Sequence, residues 1–251
     1  SRSSVVFHLA GRPGVQDSWG EGFVDSSRRN IELTQRVFES SVDSQVQRVV
    51  YASSSSIYGS GATNPAARPE PQPISPYGVS KLVGEQLAHV YRAQGLHITN
   101  LRYFTVYGPR QRPDMAMHRM FEATTPDGPV FVMRGDGQQR REFTYVSDVV
   151  TATVAAGFIG EAANATFDVG GGSSVSLQQV MTLIETLAGA PIRMETVEAP
   201  AGDPAITVAR TDDTAEILGW SPKIDLVEGL ARQYEWHHQR AASEESVLVA
   251  D

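Results

Sequence analysis

Cysteine is absent from the 251 residues, and lysine is nearly absent. Without a thiol, the chain has no disulfide framework, no cysteine nucleophile and no thiolate zinc site, which fits a cytoplasmic location. Two of the 21 basic residues are lysines, Lys81 and Lys223, so a lysine at a given place needs a local reason. The six histidines form no HExxH pair, and His8, at the end of an apolar run, is the one whose role the pattern leaves open.

An excess of positive charge is also lacking. The chain has 21 basic and 29 acidic residues and a net charge of -8, which opposes nonspecific attraction to nucleic acid and to anionic membranes. Its apolar runs are shorter than the roughly 18 residues that a membrane span requires, and its first residues do not resemble a signal peptide. We therefore expect a soluble cytoplasmic protein with no nucleic-acid or membrane partner.

What the chain does contain is a regular alternation of strand and helix patterns. Along the first part of the sequence these patterns cover residues 4–11, about 23–42, 46–56, 76–95 and 97–108. Strands that are joined through helices by short connections run parallel, with right-handed crossovers. The sequence therefore predicts an α/β fold with a doubly wound parallel sheet, whose ligands gather at the carboxyl ends of the strands.

After Gly108 the pattern changes, because prolines and glycine-rich turns separate shorter elements. The clearest helix of this part covers residues 175–189, with Ser176 as its cap and Gly189 at its end. We expect a second, smaller lobe that folds against the first.

The stretch "SPYGVSK" (75–81) carries the first chemical signal. Residues i and i+4 of a helix share one face, so Tyr77 and Lys81 can approach the same ligand. An ammonium near a phenol lowers the pKa of the phenol, and a lysine can also reach ribose hydroxyls. The alternative is a half-exposed tyrosine that packs on the lysine stem. The preceding strand ends in four serines, 53–56, which either face the same crevice or only hold their own loop.

Several blocks in fixed order resemble one known family. They are "VFHLAG", "YASSSSIYG", "SPYGVSK", "LRYFTVYGPRQRPDM", "GDGQQRREFTYVSDV", "FDVGGGSSVSL", "GD" and "LGWSPKIDLVEGL". Together they resemble the extended short-chain dehydrogenase/reductases, in the nucleotide-sugar epimerase and dehydratase branch, and most of all the UDP-glucuronate 4-epimerases. The resemblance implies a Rossmann-type sheet in residues 1–108 that binds NAD. It implies a nucleotide-sugar lobe in 109–251, from which about 143–170 return to the Rossmann part.

The glycine-rich phosphate loop of that family does not precede "VFHLAG". The sheet would then lack its first strands, roughly 60 residues at the usual size of a βαβ unit. Two interpretations follow, a fragment of a longer protein or a degenerate relative that no longer binds dinucleotide. We favour the fragment, because the later blocks are intact.

The resemblance also implies a role for each site residue. Tyr77 would be the catalytic base, Lys81 would lower its pKa and hold the nicotinamide ribose, and Ser54 would bind the sugar hydroxyl. The residues implied at the cofactor are Leu9, Ala10, Gly11, Ala52, Ser53, Tyr77, Lys81 and Phe104. Those implied at the UDP-sugar are Gly14, Val15, Ser55, Ser56, Thr105, Arg112, Arg141 and Asp203. Pro200 and Gln16 stand where the family often has arginine, and a homodimer is the expected assembly.

The reaction follows from Ser55 and Ser56, which stand where dehydratases of this family carry carboxylates. Serines cannot replace a carboxylate acid or base, so we expect 4-epimerisation through a 4-keto sugar, with UDP-glucuronate as the substrate. Arg112 would hold the sugar carboxylate, unless it only pairs with Asp114. The alternatives are a UDP-glucose or UDP-N-acetylglucosamine 4-epimerase, a dehydratase or decarboxylase, and a non-catalytic relative.

Overall fold

The structure, a computed structural model, describes residues 3–198 and 204–248. Its strands are β1 (Val5–His8), β2 (Arg48–Ser54), β3 (Ile98–Tyr103), β4 (Thr105–Tyr107), β5 (Phe131–Arg134), β6 (Arg140–Tyr145), β7 (Thr166–Val169), β8 (Ser173–Ser176), β9 (Met194–Val197) and β10 (Ile206–Thr207). Its α-helices are α1 (Gly22–Ser27), α2 (Leu33–Val42), α3 (Pro76–Arg92), α4 (Ala116–Ala123), α5 (Val146–Phe158), α6 (Leu177–Ala188), α7 (Asp212–Leu218) and α8 (Leu226–Leu248). A π-helical turn, Arg28–Glu32, joins α1 to α2, so the helix predicted over about 23–42 is continuous.

The first sheet has the order β1-β2-β3-β7, and all of its pairs are parallel. β2 lies in its centre and is buried along nearly its whole length, because helices cover both of its faces. Phe38 of α2 and Ala88 of α3 pack with Val49 on one face. Ala152 of α5 packs with Val50 on the other face. The predicted Rossmann-type parallel sheet is therefore confirmed.

The strand predicted over 97–108 is interrupted at Phe104, and its two halves belong to different sheets. β3 stays in the first sheet, whereas β4 pairs in parallel with β6 in a second sheet of order β10-β6-β4. The amide of Phe104 still donates to the carbonyl of Val169, at 3.0 Å. The Phe104 ring packs against Gly170, where an added Cβ would lie 2.9 Å from the ring. The change of sheet places Thr105 and the residues after it at the carboxyl end of the first sheet.

A second core lies around β6 and the helices α4, α6 and α8, with β5 and β9 as a separate parallel pair. The caps predicted for α6 are confirmed. The Ser176 hydroxyl accepts from the amide of Gln179, the Gln179 side chain accepts from the amide of Ser176, and Gly189 ends the helix with a φ of 63°. The division of the chain into two domains at residue 108 stays a prediction.

Within the described ranges, no helix combines the length and the apolar character that crossing a membrane requires.

Candidate active site

A cavity of about 1020 Å³ opens at the carboxyl ends of β1, β2 and β3. Most of the residues predicted for the site line it. They are Leu9, Gly11, Gly14, Val15, Ala52, Ser53, Ser54, Ser55, Ser56, Tyr77, Lys81, Phe104, Thr105, Arg112 and Arg141. Ala10 does not belong to this lining, and Asp203 and Pro200 lie outside the described residues.

The start of α3 brings Tyr77 and Lys81 to this cavity. The Ser75 hydroxyl accepts from the amide of Gly78 at 3.1 Å and caps the helix, and Pro76 occupies its first turn. The Tyr77 amide donates to the Ser18 hydroxyl at 3.0 Å. Tyr77 is 9% exposed and Lys81 is 6% exposed. The alternative of a half-exposed tyrosine on a lysine stem is therefore wrong.

Burial dominates the electrostatics of this pair. It lowers the pKa of Lys81 to about 8 and raises the pKa of Tyr77. A side-chain hydrogen bond with Ser54 and the charge of Arg112 oppose the rise at Tyr77. Lys81 is not among the groups that shift the pKa of Tyr77, and its predicted effect on that pKa stays a prediction. The Lys81 ammonium instead donates to the Ala52 carbonyl at 2.8 Å and lies 6.0 Å from the centroid of the Tyr77 ring.

The serines 53–56 both hold their own loop and face the cavity, the two roles that the sequence left open. The Ser54 hydroxyl accepts from the amide of Ser56 at 3.2 Å, so it caps the short 3-10 turn Ser55–Tyr58. It also contributes the hydrogen bond to Tyr77. Ser53 donates to the carboxylate of Glu85 behind the cavity wall. The run therefore holds its own loop and lines the site.

A buried ion pair behind this wall was missed from the sequence. Arg102 of β3 donates from Nε and Nη2 to the two carboxylate oxygens of Glu85, at 2.9 and 2.7 Å. It also donates from Nη1 to the Tyr58 hydroxyl at 2.6 Å, and that hydroxyl donates to Asp168 at 2.7 Å. Helical spacing could have indicated Glu85, because it follows Tyr77 and Lys81 at steps of four along the same face.

His8, whose role the sequence left open, packs inside the fold. Its Nε2 lies 3.0 Å from the Thr34 hydroxyl, and its ring packs against Phe38 and Tyr51. Burial, followed by the charge of Lys81, lowers the pKa of His8 to about 4. A neutral, packed imidazole behind Lys81 is a structural residue.

The segment Gly108–Asp114 forms another part of the cavity wall and is fixed from behind. The side-chain oxygen of Gln111 accepts from the amide of His118 and from Gln233, each at 3.1 Å. Its nitrogen donates to the carbonyl of Val106, and the Gly108 amide donates to Gln233, again at 3.1 Å each. Gln233 is fully buried, so α8 and α4 hold this segment in place.

Arg112 projects from this fixed segment and meets Asp114. Its Nε and Nη2 donate to the two carboxylate oxygens at 2.9 and 2.7 Å. Arg112 therefore forms the ion pair with Asp114 that the sequence suggested as its alternative role. Arg112 also lines the cavity. Arg141, at the wall contributed by β6, donates from Nη1 to the carbonyl of Arg140 at 2.8 Å.

The residues at the carboxyl ends of β1 and β2 fit the nicotinamide ribose of NAD. A Cβ at Gly11 would lie 2.8 Å from the Asn30 amide oxygen and 3.5 Å from Lys81 Nζ, so glycine lets the chain after β1 pack closely against both side chains. The ammonium of Lys81 has three donors, of which Ala52 accepts one, so ribose hydroxyls suit the others. Leu9, Ala52 and Phe104 give the apolar surface that a nicotinamide ring requires.

Comparison with known proteins identifies the family of this chain. The model of the family described as "NAD dependent epimerase/dehydratase family" matches residues 1–170. The chain belongs to that family. The Rossmann-type fold, the NAD cofactor and the epimerase family predicted from the sequence are thereby confirmed.

Two curated relatives show the range of sugars within the family. One, named as an uncharacterized UDP-glucose epimerase of Bacillus subtilis (strain 168), is 40% identical over 234 residues, which cover 91% of this chain and 72% of that protein. The other, a UDP-glucuronate 4-epimerase of Thermodesulfobacterium geofontis (strain OPF15), is 34% identical over 252 residues, which cover 98% of this chain and 76% of that protein.

Among solved structures, the UDP-glucuronic acid 4-epimerase of Bacillus cereus, in complex with UDP-glucuronic acid and NAD, superposes with a TM-score of 0.88 at 38% identity. The match covers 94% of this chain and 76% of that one.

Proposed function

We propose that this protein is an NAD-dependent 4-epimerase of UDP-sugars that interconverts UDP-glucuronate and UDP-galacturonate. The observation that carries the proposal is the composition of the cavity wall. Tyr77, the serines 53–56 and Arg112 line it, and no aspartate or glutamate does so within residues 3–198 and 204–248. A wall with a phenol base, hydroxyls and a guanidinium suits hydride chemistry on an anionic sugar.

Tyr77 is the base of the proposed reaction. It takes the proton of the sugar 4-hydroxyl and later returns it, while Ser54 hydrogen-bonds the same oxygen. The contact with Ser54 and the charge of Arg112 favour the phenolate that this step requires, against the effect of burial. When bound, NAD supplies the acceptor for the C4 hydride and gives it back to the opposite face of the sugar, so no net oxidation results.

Lys81 holds the cofactor ribose in this proposal. Because burial lowers its pKa to about 8 and not further, the ammonium stays largely charged at pH 7 and can donate hydrogen bonds. Its contact with the Ala52 carbonyl fixes the end of a long, flexible side chain before any ligand arrives. The lysine therefore contributes a preset donor.

The carboxylate of a uronate would meet the guanidinium fork of Arg112. Ser55, Ser56 and Thr105 line the same cavity and could add hydrogen bonds. Firm binding of this group matters, because a 4-keto uronic acid is a β-keto acid that readily loses carbon dioxide. A dehydratase would instead need a carboxylate acid and base, and the described wall offers neither.

A neutral UDP-hexose is the second candidate substrate. It is favoured by the ion pair between Arg112 and Asp114, which already occupies the fork, and by the similarity to a named UDP-glucose epimerase. The two candidates differ in whether the sugar must engage Arg112.

An NMR time course of the purified protein with UDP-glucuronate tests the proposal, after its bound cofactor has been checked. We expect UDP-galacturonate without net NADH. A pentose or a stable 4-keto product would show lyase chemistry, and turnover of UDP-glucose alone would favour the second candidate. Loss of bound NAD together with no turnover of any UDP-sugar would indicate a non-catalytic relative.

The Arg112→Leu variant tests the role of the carboxylate. We expect kcat/KM for UDP-glucuronate to fall about 10- to 100-fold, the usual value of a charged hydrogen-bonded pair, with a much smaller change in the affinity for UDP. Arg36→Leu is the matched control, because its side chain is 70% exposed on α2 outside the cavity. Equal loss of UDP binding would reject the carboxylate role.

We also propose a homodimer, supported by two exposed valines on α3, Val79 and Val90, which are 41% and 53% exposed. Light scattering that gives the 27.2 kDa of one chain would contradict it. A cytoplasmic location is the companion proposal, supported by the lack of cysteine and checked by cell fractionation.

A further inference from the structure

The fork of Arg112 is closed by a carboxylate of the protein itself. Nε and Nη2 of Arg112 each donate to one oxygen of Asp114, at 2.9 and 2.7 Å. This is the two-bond geometry that a guanidinium forms with any carboxylate. Arg112 lines the cavity, whereas Asp114 does not belong to its lining. A sugar carboxylate that binds this edge of the guanidinium would therefore compete with Asp114 for the same two N–H groups.

We propose that Asp114 is a specificity-determining residue, which pairs with the fork of Arg112 and competes for it with the carboxylate of a uronate. The inference rests on the proposed function, because it assumes that Arg112 receives that carboxylate.

Displacement of Asp114 requires little free energy. The side chain of Arg112 is 40% exposed and that of Asp114 is 55% exposed. Ion pairs with this exposure contribute about 0–1 kcal/mol, because water solvates both groups after they separate. A released Asp114 would turn toward solvent, so no buried charge is left without a partner.

The backbone around the pair is fixed, so the exchange is confined to side chains. Gln111 is bonded to His118, Gln233 and Val106, and the amide of Met115 donates to the Arg112 carbonyl at 3.0 Å. These bonds hold the chain on both sides of Arg112. Rotation of the two side chains is enough to exchange one carboxylate for the other.

The exchange has a consequence for substrate choice. With a neutral sugar, Arg112 keeps its partner, and no unpaired cation is left beside the ligand. With a uronate, part of the new attraction offsets the contact that is lost with Asp114. Asp114 therefore reduces the difference between the affinities for UDP-glucuronate and UDP-glucose. The site can then bind both UDP-sugars.

The Asp114→Asn variant tests this inference by calorimetric binding of UDP-glucuronate, UDP-glucose and UDP to the purified protein. We expect the ratio of the affinities for UDP-glucuronate and UDP-glucose to rise about two- to five-fold, the range that an exposed ion pair allows. In an Arg112→Leu background the same change should leave the ratio as it is, because the two residues act as one unit. Glu32→Gln, which removes an exposed carboxylate on the π-helical turn before α2, is the matched control.

Each other outcome overturns the inference. A lower ratio would mean that Asp114 orients Arg112 for the sugar, and an unchanged ratio would mean that Asp114 has no part in the choice of sugar. Equal tightening of all three ligands would mean a general effect of charge. If Arg112→Leu weakens UDP-glucuronate while Asp114→Asn has no effect, the inference fails and the proposed function stands. If Arg112→Leu itself has no effect on UDP-glucuronate, both fail.

Discussion

The two walls of the cavity differ in how their functional groups are held. On the wall from β2 and α3, Tyr77, Lys81 and Ser53 are less than one tenth exposed, and Glu85 and the Ala52 carbonyl fix two of them from behind. On the wall from Gly108–Asp114 the backbone is fixed, yet Arg112 is 40% exposed and is held by its ion pair with Asp114 and by a contact of Nη2 with the Met115 sulfur at 3.5 Å. The groups that would react are thus set before the substrate arrives, whereas the group that would recognise the sugar can change its partner.

Holding the functional groups in place has an electrostatic cost on the wall from β2 and α3, where the groups are buried. Burial shifts the pKa of Lys81 and of Tyr77 toward their neutral forms, which is the direction that desolvation dictates. The wall from β2 and α3 therefore keeps reactive groups in place at the expense of stability, which is common at catalytic sites.

Removal of the Tyr77 hydroxyl would give the largest effect. We expect Tyr77→Phe to lower kcat about 10²- to 10⁴-fold, the usual contribution of a positioned acid or base, with unchanged unfolding by urea. Tyr91→Phe is the matched control, since it lies on the same helix and its hydroxyl bonds Gln35 and Glu39 away from the cavity. A Tyr77→Phe variant that keeps a tenth of the wild-type rate would show that another group is the base.

Disruption of the ion pair behind the same wall should be next in size. Glu85→Gln leaves the guanidinium of Arg102, which is 8% exposed, without its counter-charge. We expect the free energy of unfolding to fall by about 3–5 kcal/mol, as when one partner of a buried pair is removed. Urea denaturation measures this, with Glu32→Gln of an exposed pair as the control at less than about 1 kcal/mol.

If Glu85→Gln lowers the free energy of unfolding by less than about 1 kcal/mol, the contrast between the two walls would be wrong. Each wall could then lose one partner of its ion pair with little effect on stability.

Local spacing was enough to predict the pair at the start of α3, because helix geometry alone places Tyr77 and Lys81 on one face. The alternation of patterns likewise predicted the parallel sheet. The change of sheet at Phe104 could not be predicted, because the strand pattern continues through it. What ends β3 there is the pairing of Thr105 with Phe143, far along the chain.

Helical spacing places Glu85 on the same face as Tyr77 and Lys81, but the sequence could not show that Arg102 pairs with it. Any of the acidic residues could have met Arg102, and only the packing of α3 on the first sheet selects Glu85. Arg112 and Asp114 are the opposite case. They lie two residues apart, so their contact could be weighed as an alternative from the sequence alone.

Replacement of Lys81 should change activity and stability in opposite directions. We expect Lys81→Met to lose activity and yet gain about 0.5–2 kcal/mol in the free energy of unfolding at pH 7, since a buried charge is replaced by an apolar chain of similar length. The lowered pKa of folded Lys81 also makes the free energy of unfolding depend on pH. Between about pH 8, the pKa of folded Lys81, and its ordinary value of 10.5, the unfolded chain binds more protons than the folded one.

Wild-type stability should therefore gain a contribution from Lys81 as the pH rises through that window, and the variant should lack it. Urea denaturation at pH 7 and pH 10 measures the difference. The only other lysine, Lys223, is exposed, so Lys223→Met serves as the control and should follow the wild type. If Lys81→Met is less stable than the wild type at pH 7, the bond to the Ala52 carbonyl outweighs the cost of burial. The reactive wall would then be stabilised by its lysine, and the contrast with the wall of Arg112 would rest on geometry alone.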